Sequence, residues 1–240
     1  MDNWKEERPP RVGLIIADTE WGRLIIEQGT KYAESIGIEM LPPAFVPFVT
    51  LDASTQLIRL SDQEADFAFI QGLTQTSGPV LRDAERLDLS DKIQFGGSGH
   101  GMGDALVAQA GAAAEGFTGP RTAAWFDETD VPGVKLYIDN QMKYHGKVLR
   151  APEYTTSWPA AVVVYETIRR AIEEVGYENL DRPAAKAVLD NMKDFDVYGI
   201  WKVSYTPEDH RGTSAAAVYE IRDGKIIRVS DWKDMPMLIP

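Results

Sequence analysis

The residues able to do chemistry in this chain are few, and their spacing narrows what that chemistry is. There are three histidines and no cysteine in 240 residues. His100 stands inside Gly96-Gly97-Ser98-Gly99-His100-Gly101-Met102-Gly103, directly after the predicted strand Lys92-Ile93-Gln94-Phe95. Closely spaced glycines let backbone amides approach a small ligand, and a histidine and a serine among them add side-chain donors. The run lacks the Lys-Ser/Thr ending of a phosphate loop and departs from GxGxxG, so it is a weak nucleotide motif. Ser98 is not in a GxSxG elbow and no aspartate stands at triad spacing, so no catalytic residue is predicted. His145 and His210 show no HExxH-like relation to the carboxylates. With no cysteine either, neither a metal site nor a cofactor is expected.

A second polar group, Asp18-Thr19-Glu20-Trp21, follows the unbroken apolar run Val12 to Ala17. A short β-rich run meeting a helix-capping pair is the strand-to-helix joint of an α/β protein. From Glu20 the apolar spacing becomes helical through Leu24, Ile25, Tyr32 and Ile36, and Gly37 closes the helix. Ligands of open α/β sheets bind just outside the carboxyl ends of the strands. Thr19 and Trp21 occupy such a position, and Ser98 and His100 occupy another.

The rest of the first half repeats the pattern. The region 38–48 is apolar but broken by Pro42, Pro43 and Pro47, so only its first part should pair in a sheet. Asp52 caps a helix bearing Leu57, Ile58 and Leu60. The run 66–70 is a buried strand ending in Gln71-Gly72-Leu73-Thr74, and a helix through Val80, Leu81, Ala84 and Leu87 follows. A small, alanine-rich helical stretch covers 104–116, and 117–126 is an extended crossover. This series predicts a parallel sheet flanked by helices. In the second half, 134–146, 158–176 and 183–195 read as three helices with no clear strand between them, and Trp158 starts the second of them after Thr155-Thr156-Ser157. The stretch 214–230 alternates around Asp223-Gly224, a hairpin turn signal. Trp4 to Pro10 reads as a helix tail ended by Pro9-Pro10.

Composition excludes several classes. The formal net charge of −12 gives nucleic acid no basic face to bind. No run is long enough to span a membrane, and Met1-Asp2-Asn3-Trp4-Lys5-Glu6-Glu7 lacks the basic start and apolar centre of a signal peptide.

In their order and spacing from residue 11 to 232, these segments resemble the type I periplasmic solute-binding proteins. The branch is that of the leucine/isoleucine/valine-binding receptors of ABC importers. The resemblance rests on Val12–Ala17 with Asp18-Thr19-Glu20-Trp21-Gly22, the segment 66–72, the loop 95–103, Ala113-Ala114-Glu115-Gly116, the helix at 160–176, and the ending Tyr198-Gly199, Asp209-His210-Arg211-Gly212 and Asp223-Gly224-Lys225. It implies two α/β lobes that close over a small ligand by a hinge motion. Residues 11–120 with 214–240 would form the C-terminal-type lobe. Residues 121–213 would form a partial, mainly helical N-terminal-type lobe with the crossovers, the leading βα half of that lobe being absent from this chain.

Carried across, Trp21 matches the aromatic that covers the ligand after the first strand of the C-terminal lobe. Leu73 or Thr74 matches the turn where amino-acid receptors place a second aromatic. His100 falls where they carry a glutamate for the substrate's ammonium group, and Trp158 lies near a ligand-facing position of the other lobe. This chain has no carboxylate at 100 and no aromatic at 73 or 74. The resemblance therefore implies a carboxylate-bearing or aromatic acid rather than an unmodified α-amino acid, bound by a non-enzymatic, periplasmic or extracellular receptor that serves a membrane permease. A ligand-sensing module of a regulator and an enzyme on a flavodoxin-like sheet stay open as alternatives. The stripe Val162, Tyr165, Ile168, Ile172 and Val175 needs cover, either from a homodimer or higher even assembly through residues 130–200 or from these helices folding back onto the first lobe. Trp21, Thr74 and the loop 97–100 should line one cleft; Trp21 and His100 at opposite ends of the sheet would overturn this.

Overall fold

Five of the seven residues of the first strand, β1 (Arg11–Ala17), are buried, as befits an apolar run too short for a helix and covered on both faces. The computed structural model describes residues 4–236. Met1-Asp2-Asn3 of the N-terminal heptapeptide and residues 237–240 of the 214–240 segment lie outside the described residues.

The chain leaves β1 through α1 (Glu20–Arg23) and α2 (Ile25–Ser35), then β2 (Glu39–Met40), β3 (Ala44–Val46) and α3 (Ser54–Asp62). It continues through β4 (Phe67–Gln71), α4 (Thr74–Arg86), β5 (Gln94–Gly97), a 3-10 turn at Gly99–Gly101, α5 (Asp104–Ala110) and β6 (Thr118–Arg121). The second half carries α6 (Pro132–His145), α7 (Pro152–Val175), α8 (Arg182–Asp190) and the antiparallel pair β7 (Phe195–Val197) and β8 (Trp201–Val203). It ends with β9 (Ala215–Arg222), β10 (Lys225–Arg228) and β11 (Lys233–Asp234). The main sheet has the order β10-β9-β6-β5-β4-β1-β2, with β3 also on β1 and β11 on β9. Pairings β1–β2, β1–β3, β1–β4, β4–β5 and β5–β6 are parallel. The closing strands β10 and β11 pair antiparallel with β9. The fold is thus the expected α/β class, a mainly parallel sheet flanked by helices. Asp223 and Gly224 both take positive φ, the conformation that a two-residue hairpin turn requires.

The residues fall into two compact units. The first runs to Pro120 and returns with Val218–Asp231; the second holds Arg121–Ala217 and Trp232–Met235.

Four features differ from the sequence-based expectation. Residues 4–10 form no helix. Arg8 instead forks onto Asp66 with two bonds of 2.7 Å, and the Arg11 amide donates to the same carboxylate. The Arg8 guanidinium holds the Asp66 carboxyl below its ordinary range. The second part of 38–48 does pair: Ala44–Val46 lies beside Ile15–Ala17, because Pro42 and Pro43 fall in the gap between β2 and β3 where no ladder bond is needed.

Helix α7 begins at Pro152, not Trp158, with proline at its first turn as helix starts favour. Thr155 and Thr156 continue it because their hydroxyls donate back to the carbonyls of Pro152 and Glu153. Finally, the second unit has its own short sheet. Val163 of α7 packs with Met192, Val197 and Val203, and Val162, Leu189, Phe195, Trp201 and Tyr205 surround them. The buried line of α7 is Thr155, Pro159, Val163, Thr167 and Ala171, one residue every fourth position. Beside it, Val164 and Tyr165 are more than 60% exposed.

Gly22 explains why the chain can turn so sharply out of β1. A Cβ there would lie 2.0 Å from the Ala17 carbonyl oxygen, a rigid backbone atom. Gly22→Ala should cost about 3 kcal/mol, the upper range for forcing atoms into a packed site. Urea unfolding checks this: the midpoint should fall with an unchanged slope. An unaltered midpoint would mean that the turn gives way freely.

Candidate functional site

Parallel pairing brings the sequence-predicted residues of the first unit to one end of its sheet. Ile16 lies beside Gln71, and Ile70 lies beside Gly97, so β1, β4 and β5 finish within about one residue of each other. Neighbouring strands are about 4.8 Å apart. Thr19 and Trp21 therefore emerge from β1, Leu73 and Thr74 from β4, and Ser98 and His100 from β5, all at the carboxyl edge. Trp21 and His100 are at the same end of the sheet.

Each turn is built by local bonds. Thr19 caps α1, its hydroxyl oxygen accepting from the Gly22 amide at 3.0 Å. Asp18 accepts from Arg23 at 2.5 and 2.9 Å, and the Arg23 guanidinium lies 4.2 Å from the centroid of Phe45. Trp21 is 39% exposed, so its ring is available on the edge of α1. The β5 loop is tied to the β4 turn: the Ser98 hydroxyl donates to the Gly72 carbonyl at 2.9 Å, and the Ser98 amide donates to Ile70. Gly101 fits closely over this turn, where a Cβ would come within 2.8 Å of the Gly72 carbonyl oxygen. His100 is exposed at the crest of the 3-10 turn. Helices α4 and α5 start from this same edge, so their amide ends direct positive partial charge towards it. Ser77 was not legible as part of this region. It is buried beneath Gly101, and its hydroxyl has no partner among the described residues.

Trp158 belongs to the second unit. Half-buried in the second turn of α7, its ring lies 6.0 Å from Tyr137 and 6.0 Å from Tyr198. Tyr137 meets Phe126 edge-on at 5.1 Å, and Phe126 meets Trp125 at 5.0 Å. Arg121, buried under this group, donates to Thr155 and lies 4.1 Å from the centroid of Trp125. Burial pushes the hydroxyls of Tyr137 and Tyr154 up, which keeps both neutral. A cavity of about 520 Å³ also opens in this unit beside Trp201 and Trp232. Lys202 pairs there with Asp194 and Arg211 with Asp209, Asp234 accepts from the Ser214 hydroxyl, and none of the sequence-predicted site residues lines it. Among the described residues no cluster of three histidines or carboxylates could hold a metal ion.

An open parallel sheet with glycine-lined turns at its carboxyl edge is the kind of α/β module that takes ligands at its strand ends. The chain belongs to the periplasmic binding protein family, whose sequence model matches residues 2–225. Solved structures share the fold. One, a branched chain amino acid ABC transporter protein from Thermus thermophilus with bound valine, is 23% identical with a TM-score of 0.84, over 97% of this chain and 62% of its own. A fatty acid ABC transporter substrate-binding protein from Thermomonospora curvata is 19% identical with a TM-score of 0.81, over 96% of this chain and 59% of its own. A solute binding protein of an ABC transporter from Rhodopseudomonas palustris, in complex with 3,4-dihydroxy benzoic acid, is 18% identical with a TM-score of 0.74, over 94% of this chain and 60% of its own. The chain thus spans about three fifths of the length of these structures. A search of curated proteins gives no match. No described helix is long and apolar enough to cross a membrane.

The Ser98 hydroxyl is the bond that holds the histidine loop to the neighbouring turn. Ser98→Ala should cost about 1 kcal/mol and speed hydrogen exchange at the Gly101 amide, which donates to Ser98. Exchange at wild-type rate would show that the close fit of Gly101 holds the loop alone.

Proposed function

We propose that the chain binds a small organic or aromatic acid, or an amino-acid-like ligand, as the substrate-binding component of an ABC importer or a part of one. The observation that carries this reading is the convergence of Thr19, Trp21, Leu73, Thr74, Ser98 and His100 on one sheet edge, where two helices also begin. An exposed imidazole, the Thr74 hydroxyl and the amide end of α4 suit a carboxylate. Trp21 offers an apolar plane for the rest of the ligand. Valine and 3,4-dihydroxybenzoic acid, the compounds bound in two of the relatives, share a carboxylate and little else. The histidine at position 100 can donate to an acid but does not supply the negative charge that an ammonium group needs.

In this reading the first unit is the C-terminal-type lobe, and the second is a partial N-terminal-type lobe that carries Trp158. The same reading has the ligand released unchanged, as from a non-enzymatic receptor. The partner is a membrane permease and the place of work is the periplasm or cell exterior. A second copy of the chain covers what α7 leaves wet. Beside exposed Val164, an apolar groove of about 250 Å³ is lined by Ala160, Ile168, Leu189, Trp201 and Tyr205. A twofold contact uses one such patch twice.

Two measurements test these statements. In calorimetric titrations with aromatic and aliphatic acids, His100→Ala and Trp21→Ala should each weaken binding about tenfold or more, the scale of one charge-assisted hydrogen bond or one stacked ring. Wild-type affinity in both variants would move the site elsewhere. In sedimentation at tens of micromolar, the native chain should be a dimer, and Val164→Asp should be a folded monomer. A native monomer would remove the second copy.

A further inference from the structure

The cavity beside Trp201 and Trp232 lies wholly within the second unit, and local bonds build its walls. The indole nitrogen of Trp201, at the start of β8, donates to the Thr122 carbonyl at 2.7 Å and fixes that ring in the wall. After β8 the chain turns back on itself, and the Ser204 amide donates to the Gly212 carbonyl at 2.9 Å. Gly212 takes φ 78°, and a Cβ there would lie 2.6 Å from the Tyr205 hydroxyl oxygen, so this return needs glycine. The remaining wall is β11 with the residue before it. Lys233 pairs with Ala216 and Asp234 with Ala215, and the Met235 amide donates to the Ser214 carbonyl. Trp232 and Asp234 are two residues apart on this extended segment and both line the cavity, whereas Lys233 between them does not.

Two cations and three carboxylates line the cavity. Lys202 lies 3.1 Å from Asp194, and Arg211 forks onto Asp209 through Nε and Nη2 at 2.7–3.2 Å. Asp234 is the third carboxylate, and its bond is to a neutral group, the Ser214 hydroxyl at 2.8 Å. The cavity thus carries one negative charge in excess, and that charge stands on the same side of the same segment as an indole ring. Side chains two apart on an extended chain are about 7 Å from each other. This spacing suits a cation seated between a carboxylate and a ring face, which attracts positive charge within about 6 Å of its centroid. A volume of about 520 Å³ is ample for a small molecule, and low-dielectric walls concentrate the field of the surplus carboxylate. An anion would meet that carboxylate at like charge.

We propose that this cavity is a binding site for a small organic ammonium ion, with the Trp232 ring against the cationic head and the Asp234 carboxylate as its counter-ion. The site is confined to the second unit, so it goes beyond the acid-binding reading and does not depend on it.

The test titrates the full chain with choline and with 3,3-dimethylbutan-1-ol, which has the same shape without the charge. Choline should bind about tenfold or more tightly than the alcohol and change the tryptophan fluorescence. Asp234→Asn should lose about tenfold in affinity for choline and none for the alcohol. The asparagine amide oxygen still accepts from Ser214, so this variant should melt with the wild type. Trp232→Leu should lose choline affinity by a similar factor, and Trp232→Phe, which keeps a ring face, should lose less. Equal affinity for the two probes, or no choline binding at tens of millimolar, would overturn the proposal. So would unchanged choline affinity in Asp234→Asn, or equal losses in Trp232→Leu and Trp232→Phe. A lower melting point in Asp234→Asn with equal losses for both probes would make the carboxylate structural and overturn it as well.

Discussion

A parallel ladder releases the chain from the sheet at the same end each time, and the crossover that follows must start there. Everything else in the first unit depends on this constraint. Once β1, β4 and β5 pair in parallel, their turns meet at one edge without any further instruction. The turn sequences then need only to be compatible with close quarters. Gly22 lets α1 pass the end of β1, and Gly101 lets the 3-10 turn press on Gly72. Thr19 and Ser98 spend their hydroxyls on holding these turns rather than on solvent. The Ser98 hydroxyl has its one hydrogen on the Gly72 carbonyl, so donation to an acid at this edge falls to groups not already spent, such as the His100 ring.

This constraint also explains why the first unit was readable from sequence. Unbroken apolar runs such as Val12 to Ala17, each meeting a capping or glycine-rich turn, report strand, edge and helix start together. The second unit offered no such runs. Strands β7 and β8 have three residues each, with Asp196 and Lys202 in their centres, too short for any periodicity to show. The threonines at 155 and 156 suggest a turn by type, yet hydroxyl bonds to the preceding turn let them extend a helix instead. The stripe chosen on α7 was one position away from the buried line, because small residues such as Thr167 and Ala171 face the core while Tyr165 does not. Hydrophobicity marks which residues want burial, but a close helix–helix or helix–strand contact selects for size as well.

The N-terminal strap shows the same limit. Pro9-Pro10 rightly forbids a helix across the junction, and the segment before it carries helix-compatible residues. What decides its path is a bidentate ion pair, Arg8 with Asp66, between positions 58 residues apart. Such a pair leaves no local trace in the sequence. The ring row of the second unit is equally non-local, joining Tyr137, Trp158 and Tyr198 from two helices and a hairpin turn.

A chain of net charge −12 is at first sight a poor host for an acid. Distance resolves the difficulty. At physiological ionic strength the screening length is about 8 Å, so carboxylates spread over the surface contribute little at the strand ends. Asp18, the nearest in sequence to the β1 turn, is paired with Arg23 and adds little net charge. Glu20 in the first turn of α1 and Asp104 in the first turn of α5 also stand at this edge; set against them are the amide end of α4, the Thr74 hydroxyl and the His100 ring. Helix termini act over about one turn and are worth a few tenths to about 2 kcal/mol each. A charge-assisted hydrogen bond is worth about 1.5–3 kcal/mol. Local donors therefore outweigh the overall charge, whose remaining effects are solubility and a slower approach of an anion at low salt.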